Sequence, residues 1–209
     1  MPDNRPPLTE TGVENDPLAQ FARWYGEAQV TEKPLPDAVA LATATPAGHP
    51  SLRMVLLKGF DAHGFVFYTN YRSRKGQELA RNPRATLLFY WGEIERQVRI
   101  DGRVEKLMAR ESDEYFDTRP RGSQLSAWAS PQSALVAGRG LLERRFAAFA
   151  RKYPDAVPRP PQWAATAWCR WHSNSGRDAR TGCTTASSTA AFTADAGGSS
   201  GWRPSGGEQ

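Results

Sequence analysis

Cysteine is nearly absent from this 209-residue chain: Cys169 and Cys183 are the two present, and both lie toward the C-terminal end. Two thiols so placed supply neither a disulfide framework nor a metal-ligand spacing, and a reducing cytoplasm is the expected setting. No apolar run approaches the roughly 18 residues that a membrane-spanning helix needs, so no membrane partner is expected. The opening MPDNRPPLTETGVENDP lacks the apolar stretch of a secretory signal. No internal repeat is evident. Apolar residues are sparse at 39%, yet the length suffices for one domain with a real core.

Positive charge is what the chain has in excess. The formal charge is +5 and the pI about 9.5, with arginine the main contributor. A basic balance is by default a solvated surface, and the sharper readings are nucleic acid or a phosphorylated small molecule. Arginine is the better bidentate phosphate ligand. The composition therefore leans toward phosphate recognition of some kind.

Residues 1–15 are polar and proline-bearing and read as a disordered arm. Asp16-Pro17 is a helix start, with Leu18, Phe21, Trp24, Tyr25 and Ala28 at helical spacing. AVALATAT, SLRMVLLK, FVFYTN, RATLLFYW and RQVRIDGRVEKL then read as strands joined by short turns. A short helix capped by Ser73 interrupts them, and ARESDEYFDT, SQLSAWAS and LLERRFAAFARKY are helical. Successive strands with helices mainly at the ends imply a mainly β fold: a small antiparallel barrel with flanking helices, over residues 16–163. From Ala164 onward Ser, Thr, Ala and Gly dominate, and residues 164–209 read as a low-complexity, disordered tail without a strand.

Two groups of residues suggest phosphate chemistry. Arg53 and Lys58 bracket one strand and, by parity, face opposite sides. Arg74 and Lys75 follow Ser73 at a helix N-terminus, where free N–H groups and the positive dipole end favour an anion. Tyr68 and Thr69 add hydroxyl donors just upstream. Farther along, Tyr115, Arg119 and Ser123 recur at four-residue spacing, and a phenol, a guanidinium and a hydroxyl so spaced can converge on one phosphate. Gln97 and Arg99 share a strand face, where Gln97 could meet a heteroaromatic edge or simply face solvent. Solvated helix starts and basic surface loops account for each of these groups taken singly.

Taken together, RMVLLK, FYTN–SRK, RQVR, YF–RPR–SQ, AWAS and QS resemble the pyridoxine/pyridoxamine 5′-phosphate oxidase family, from about Asp16 to Trp163. The resemblance implies an FMN-binding split β-barrel of Greek-key type, a homodimer with FMN at the interface. It assigns to FMN the segment Arg53, Met54, Val55, Leu56, Leu57 and Lys58. Tyr68, Thr69, Arg74 and Lys75 join them, with Gln97, Gln132 and Ser133. Lys58, Tyr115, Arg119 and Ser123 would hold the phosphate of a B6 vitamer. The implied reaction moves a hydride from the substrate C4′ to flavin N5, and dioxygen reoxidises the flavin to give hydrogen peroxide. No residue need act as a nucleophile, and the resemblance implies no nucleic-acid partner. Related flavin split-barrel oxidases, including those acting on phenazine precursors, are the alternative, as is a flavin binder without turnover.

Two regions depart from the pattern. The family's Arg-plus-Tyr element near the N-terminus, which closes over substrate, has no counterpart before Asp16. After Trp163 the family continues Trp-Gly-Gly-Tyr-Arg, then Glu-Phe-Trp-Gln-Gly and Arg-Leu-His-Asp-Arg, none of which appears as written. Joining the third base of each codon to the first two of the next turns Trp168-Cys169 into Val and Trp171-His172 into Ala. The same shift lets His172 to Arg177 encode Phe-Glu-Phe-Trp-Gln, and Thr181 to Ala186 encode Arg-Leu-His-Asp-Arg. The tail therefore reads as the family ending displaced by a one-base deletion after Trp163, and weak FMN binding with low or absent oxidase activity is expected.

Overall fold

The computed structural model describes residues 12–168. Helix α1 (Pro17–Thr31) begins as the sequence predicts: the Asp16 side chain accepts from the Leu18 N–H at 3.0 Å, and proline occupies the first turn. Its buried face, Gln20, Phe21, Trp24 and Ala28, follows the helical repeat. Of the arm expected to be disordered, residues 12–15 fold back on α1. Arg23 donates to the Gly12 carbonyl and pairs with Glu14, whose N–H donates to Gln20.

Six antiparallel strands follow: β1 (Ala38–Ala44), β2 (Pro50–Asp61), β3 (Gly64–Asn70), β4 (Arg84–Trp91), β5 (Arg96–Lys106) and β6 (Trp163–Trp168). Their order is β1-β2-β3-β6-β5-β4, and the pairing of β4 with β1 closes the barrel. Helix α2 (Arg74–Arg81) links β3 to β4. Helices α3 (Ala109–Thr118), α4 (Arg121–Ala129) and α5 (Arg139–Lys152) link β5 to β6. The mainly β architecture with flanking helices is thus the expected one.

Strand β6 is a correction. The tail was expected to hold no strand, but residues 163–168 pair with β3 from Asn70↔Trp163 to Phe65↔Trp168, and with β5 from Lys106↔Thr166 to Val104↔Trp168. Ladder bonds are made by the backbone, so a stretch free of Pro and Gly pairs wherever two open edges flank it. Composition averaged over the whole tail hides so short a segment. The rest of the tail, including the displaced-frame motifs, lies outside the described residues.

Alternation sorts the strands into an inner and an outer face. Val39, Leu41, Leu57, Phe65, Phe67, Leu87, Phe89 and Trp91 point inward, and Phe21 of α1 plugs them through edge contacts at 4.8 Å to Phe65 and 5.1 Å to Phe89. A second core, Phe116, Leu125, Val157 and Trp163, lies beneath α3–α5. The outer face of β2 leaves Leu52 at 69% and Met54 at 62% exposed, and Tyr90 of β4 is 71% exposed.

Phe89 is fully buried, so Phe89→Ala should lower the unfolding free energy by about 3–5 kcal/mol. Leu135→Ala, at a fully exposed position, should change it by less than about 0.5 kcal/mol. Chemical denaturation of the two variants checks both.

Candidate functional site

The N-terminal end of α2 gathers the first cluster. Ser73 caps the helix, its hydroxyl accepting from the Gly76 N–H at 3.3 Å and donating to the Asn70 carbonyl at 2.5 Å. The cap leaves the N–H groups of the first turn at the positive end of the helix dipole. Arg74 and Lys75 leave from this turn, and Arg53 reaches it from the inner side of β2.

Lys75 is only 7% exposed. Burial, reinforced by the Arg53 charge, pulls its pKa down to about 8. Its amine donates to the Gln132 amide oxygen at 3.0 Å, joining two residues 57 positions apart. Neighbouring Ser133 has φ of 69°, a left-handed conformation uncommon outside glycine and typical of functional turns. Gln132 is thereby brought to the cluster, and Ser133 sits exposed beside it.

A carboxylate organises these cations. Glu78 accepts from Thr43 and Ser51 hydroxyls at 2.5 Å each, from Arg74 Nε at 2.9 Å and from Arg53 Nη2 at 3.4 Å. Burial pushes its pKa up, but the hydrogen bonds from Ser51, Thr43 and Arg74, with the Arg74 charge, outweigh it and bring the value down to about 2. Arg53 also donates to the Leu41 carbonyl, to Thr43 and to Ser51.

The second cluster lies on the outer face of β3. Tyr68 stacks on Tyr115 of α3 at 4.0 Å and on Trp163 of β6 at 5.0 Å. The Arg119 guanidinium sits 4.6 Å above the Trp163 ring. Burial, with Tyr115 and Glu111 nearby, raises the Tyr68 pKa to about 12, so its phenol stays protonated. Burial lowers the pKa of Arg119. Pro120 separates α3 from α4, which places Ser123, half-buried, in the first turn of α4 rather than on the helix of Tyr115.

The other expected residues are dispersed. Arg53 and Lys58 face opposite sides, as parity requires, and Lys58 pairs with Asp37 at 2.7 Å. Val55 and Leu57 belong to the barrel core, so only their main chain could meet a ligand, while Met54 and Leu56 lie on the outer face. Gln97 is exposed on that same face opposite Tyr90, and one chain does not bring it to Lys75. Sequence reading missed Thr43, Ser51, Glu78, Asp37 and Trp163. The four-residue spacing of Arg74 and Glu78 was the one visible signal among them.

The residues fit a phosphorylated ligand. Among the described residues the buried Thr69 hydroxyl and Arg119 Nη1 have no protein partner, and such groups call for a ligand or water. Arg74 uses only Nε on Glu78, leaving its terminal nitrogens available. Among the same residues no group of three or more His, Cys, Asp or Glu could hold a metal, and no helix is long and apolar enough to cross a membrane.

Fold and site together define a split-barrel protein with a cationic helix-terminal cradle. The chain belongs to the pyridoxamine 5′-phosphate oxidase family, whose model matches residues 26–153. It is 55% identical over 157 residues to a pyridoxine/pyridoxamine 5′-phosphate oxidase of Trichormus variabilis, covering 75% of this chain and 73% of the relative. It is 54% identical over 160 residues to one of Burkholderia lata, covering 77% and 75%. Among solved structures, PhzG of Burkholderia lata in complex with tetrahydrophenazine-1-carboxylic acid superposes with a TM-score of 0.70 at 31% identity, over 75% of this chain and 77% of that one. A pyridoxamine 5′-phosphate oxidase-related, FMN-binding protein of Nostoc punctiforme shares the fold, with a TM-score of 0.60 at 17% identity over 76% and 83%. Family membership makes FMN the cofactor that this fold serves.

The Lys75 amine is charged below about pH 8 and neutral above it. A phosphate monoester is mostly dianionic at pH 7, so FMN affinity should fall as pH rises from 7 to 9.5, and Lys75→Met should bind weakly with a flatter profile. For the cofactor-free fold the sign reverses: the cost of burying the charged amine is full below about pH 8 and is relieved as pH rises toward 10.5. Flavin-fluorescence titrations and denaturation across this range check the two signs.

Proposed function

We propose that this chain is built to oxidise pyridoxine or pyridoxamine 5′-phosphate to pyridoxal 5′-phosphate, with dioxygen as acceptor and hydrogen peroxide as product. The observation that supports the reading is a pair of separate cation-bearing clusters, one at the N-terminal end of α2 and one where α3 and β6 meet β3. Thr69 lies on the core side of β3 with its hydroxyl unpartnered, and Tyr68 stacks on Tyr115 and on Trp163, the ring that carries Arg119. Two phosphates, one on the cofactor and one on the substrate, account for two separate clusters.

Arg53, Arg74, Lys75 and Thr69 would hold the FMN phosphate. FMN, when bound, supplies the hydride acceptor, so the protein's task is to position and polarise. Arg119, oriented by the Trp163 ring, would meet the substrate phosphate with Tyr115, Ser123 and Lys58. The protonated Tyr68 phenol would remain a donor at working pH. The exposed apolar face of Leu52, Met54, Leu56 and Tyr90 supports a homodimer, in which Gln97 of a second copy would reach the flavin. A cytoplasmic setting suits this chemistry.

The likeness to PhzG supports a second reading, in which the substrate is a phenazine precursor rather than a B6 vitamer. The higher identity to the B6 oxidases favours the first. The one-base displacement after Trp163 is part of the proposal, and about a quarter of each chain lies outside the match to the relatives. FMN binding is then weaker than in those relatives, and turnover is low.

Peroxide release with pyridoxine 5′-phosphate should be low in the chain as written. It should rise at least about tenfold when a single base restores the frame after Trp163, and Arg119→Leu should abolish the gain. A restored chain that oxidises a dihydrophenazine and not the B6 vitamer would select the second reading. A gene that cannot spell the displaced ending would remove the frameshift.

A further inference from the structure

We propose that Glu78 is a positioning residue of the cofactor-phosphate cradle, a buried counter-charge that locks Arg53 and aims the free end of Arg74. This rests on the reading that Arg53, Arg74, Lys75 and Thr69 hold the FMN phosphate. The Glu78 side chain is 5% exposed and lies where donors from two strands, β1 and β2, meet the helix. Thr43 and Ser51 are cross-strand partners in the β1–β2 register. Each hydroxyl accepts from one Arg53 terminal nitrogen, at 2.5 and 2.8 Å, and donates its proton to the same Glu78 oxygen. Arg53 therefore reaches the carboxylate through two hydroxyl relays as well as by its own 3.4 Å contact.

The two arginines are treated differently. Both terminal nitrogens of Arg53 are bonded within the protein, so its guanidinium is a fixed charge with Nε left to meet a ligand. Arg74 is 61% exposed and is held only through Nε, at 2.9 Å, to the other Glu78 oxygen. That grip orients the guanidinium plane and leaves its terminal nitrogens free for a bidentate contact. Three cations and one carboxylate give the cluster a net charge of about +2, which matches a phosphate dianion.

A carboxylate near a phosphate site could instead be a repulsive cost. Here its charge is already met by two guanidiniums and two hydroxyl donors, so little remains to act on a ligand. A guanidinium contact to phosphate depends steeply on direction, and orientation is the larger effect.

The test compares FMN with riboflavin, which lacks the phosphate, by flavin-fluorescence titration of the full chain at pH 7. Glu78→Gln should weaken FMN binding about tenfold or more and riboflavin binding less than twofold. Equal losses for both ligands, or unchanged FMN affinity, would show a structural role only. Tighter FMN binding would show that Glu78 merely repels phosphate; either result overturns the proposal. If Glu78→Gln does not fold, Ser51→Ala removes one relay and should lower the same ratio about threefold, with an unchanged ratio counting against the idea. Lys75→Met separates the two levels. If it leaves the FMN-to-riboflavin ratio intact, the cradle reading fails. If it collapses the ratio while Glu78→Gln does not, the cradle stands and the role of Glu78 falls.

Discussion

Closure of the barrel between β3 and β5 depends on the backbone ladders of one strand. Strands β3 and β5 are not hydrogen-bonded to each other, and β6 fills the gap between them through Asn70↔Trp163 to Phe65↔Trp168 on one side and Lys106↔Thr166 to Val104↔Trp168 on the other. The chain leaves β5, makes three helices and returns to enter that gap. The excursion lays α3 over the outer face of β3, so Tyr115 stacks on Tyr68. Trp163, the first residue of β6, lies under both Tyr68 and Arg119. A single strand thus completes the barrel and floors the second cluster. Arg159 ties the approach, donating to Asp113 of α3 at 2.6 Å and to the Trp163 carbonyl at 2.7 Å.

Strand β3 is the other organising element, because alternation along it separates two chemistries. Tyr68 faces the rings of Tyr115 and Trp163, while Thr69 faces inward with its hydroxyl unpartnered. Four residues later the chain reaches Ser73, the cap of α2, and its cations. The low-dielectric surroundings that make the Lys75 amine easy to neutralise also make its charge, once paired, a strong ligand for an anion.

Much of this was legible in the sequence because it is local. The Asp16-Pro17 start, the Ser73 cap, the five strands with period-two patterning and the break at Pro120 are each set by neighbours in the chain. The cation clusters were legible as residue types, and the combination of motifs identified the family. What could not be read is what distant segments make together. Glu78 draws donors from β1, β2 and α2, and Lys75 meets Gln132 across 57 positions. The pairing of Arg119 with Trp163 requires the return of the chain after α5. Leu57 illustrates the opposite limit: its motif points to the cofactor, yet its parity gives the side chain to the core.

The same distinction explains how a displaced reading frame could spare the fold and cost the function. Ladder bonds do not depend on side-chain identity, so the first residues after Trp163 can still close the barrel as Ala-Ala-Thr-Ala-Trp, none of which breaks a strand. A binding site has no such tolerance, because a guanidinium or an imidazole must occupy a particular position to meet a flavin or a phosphate. Under the proposed displacement every cradle residue keeps its identity, because Arg53, Thr69, Arg74 and Lys75 all precede Ala164, whereas residues after Trp163 would not. Phosphate recognition, built on β2, β3 and α2, is then the part of the site that survives, and contacts supplied by the tail are the part that fails. On the proposed displacement the chain should still distinguish FMN from riboflavin while holding both less firmly than its relatives do.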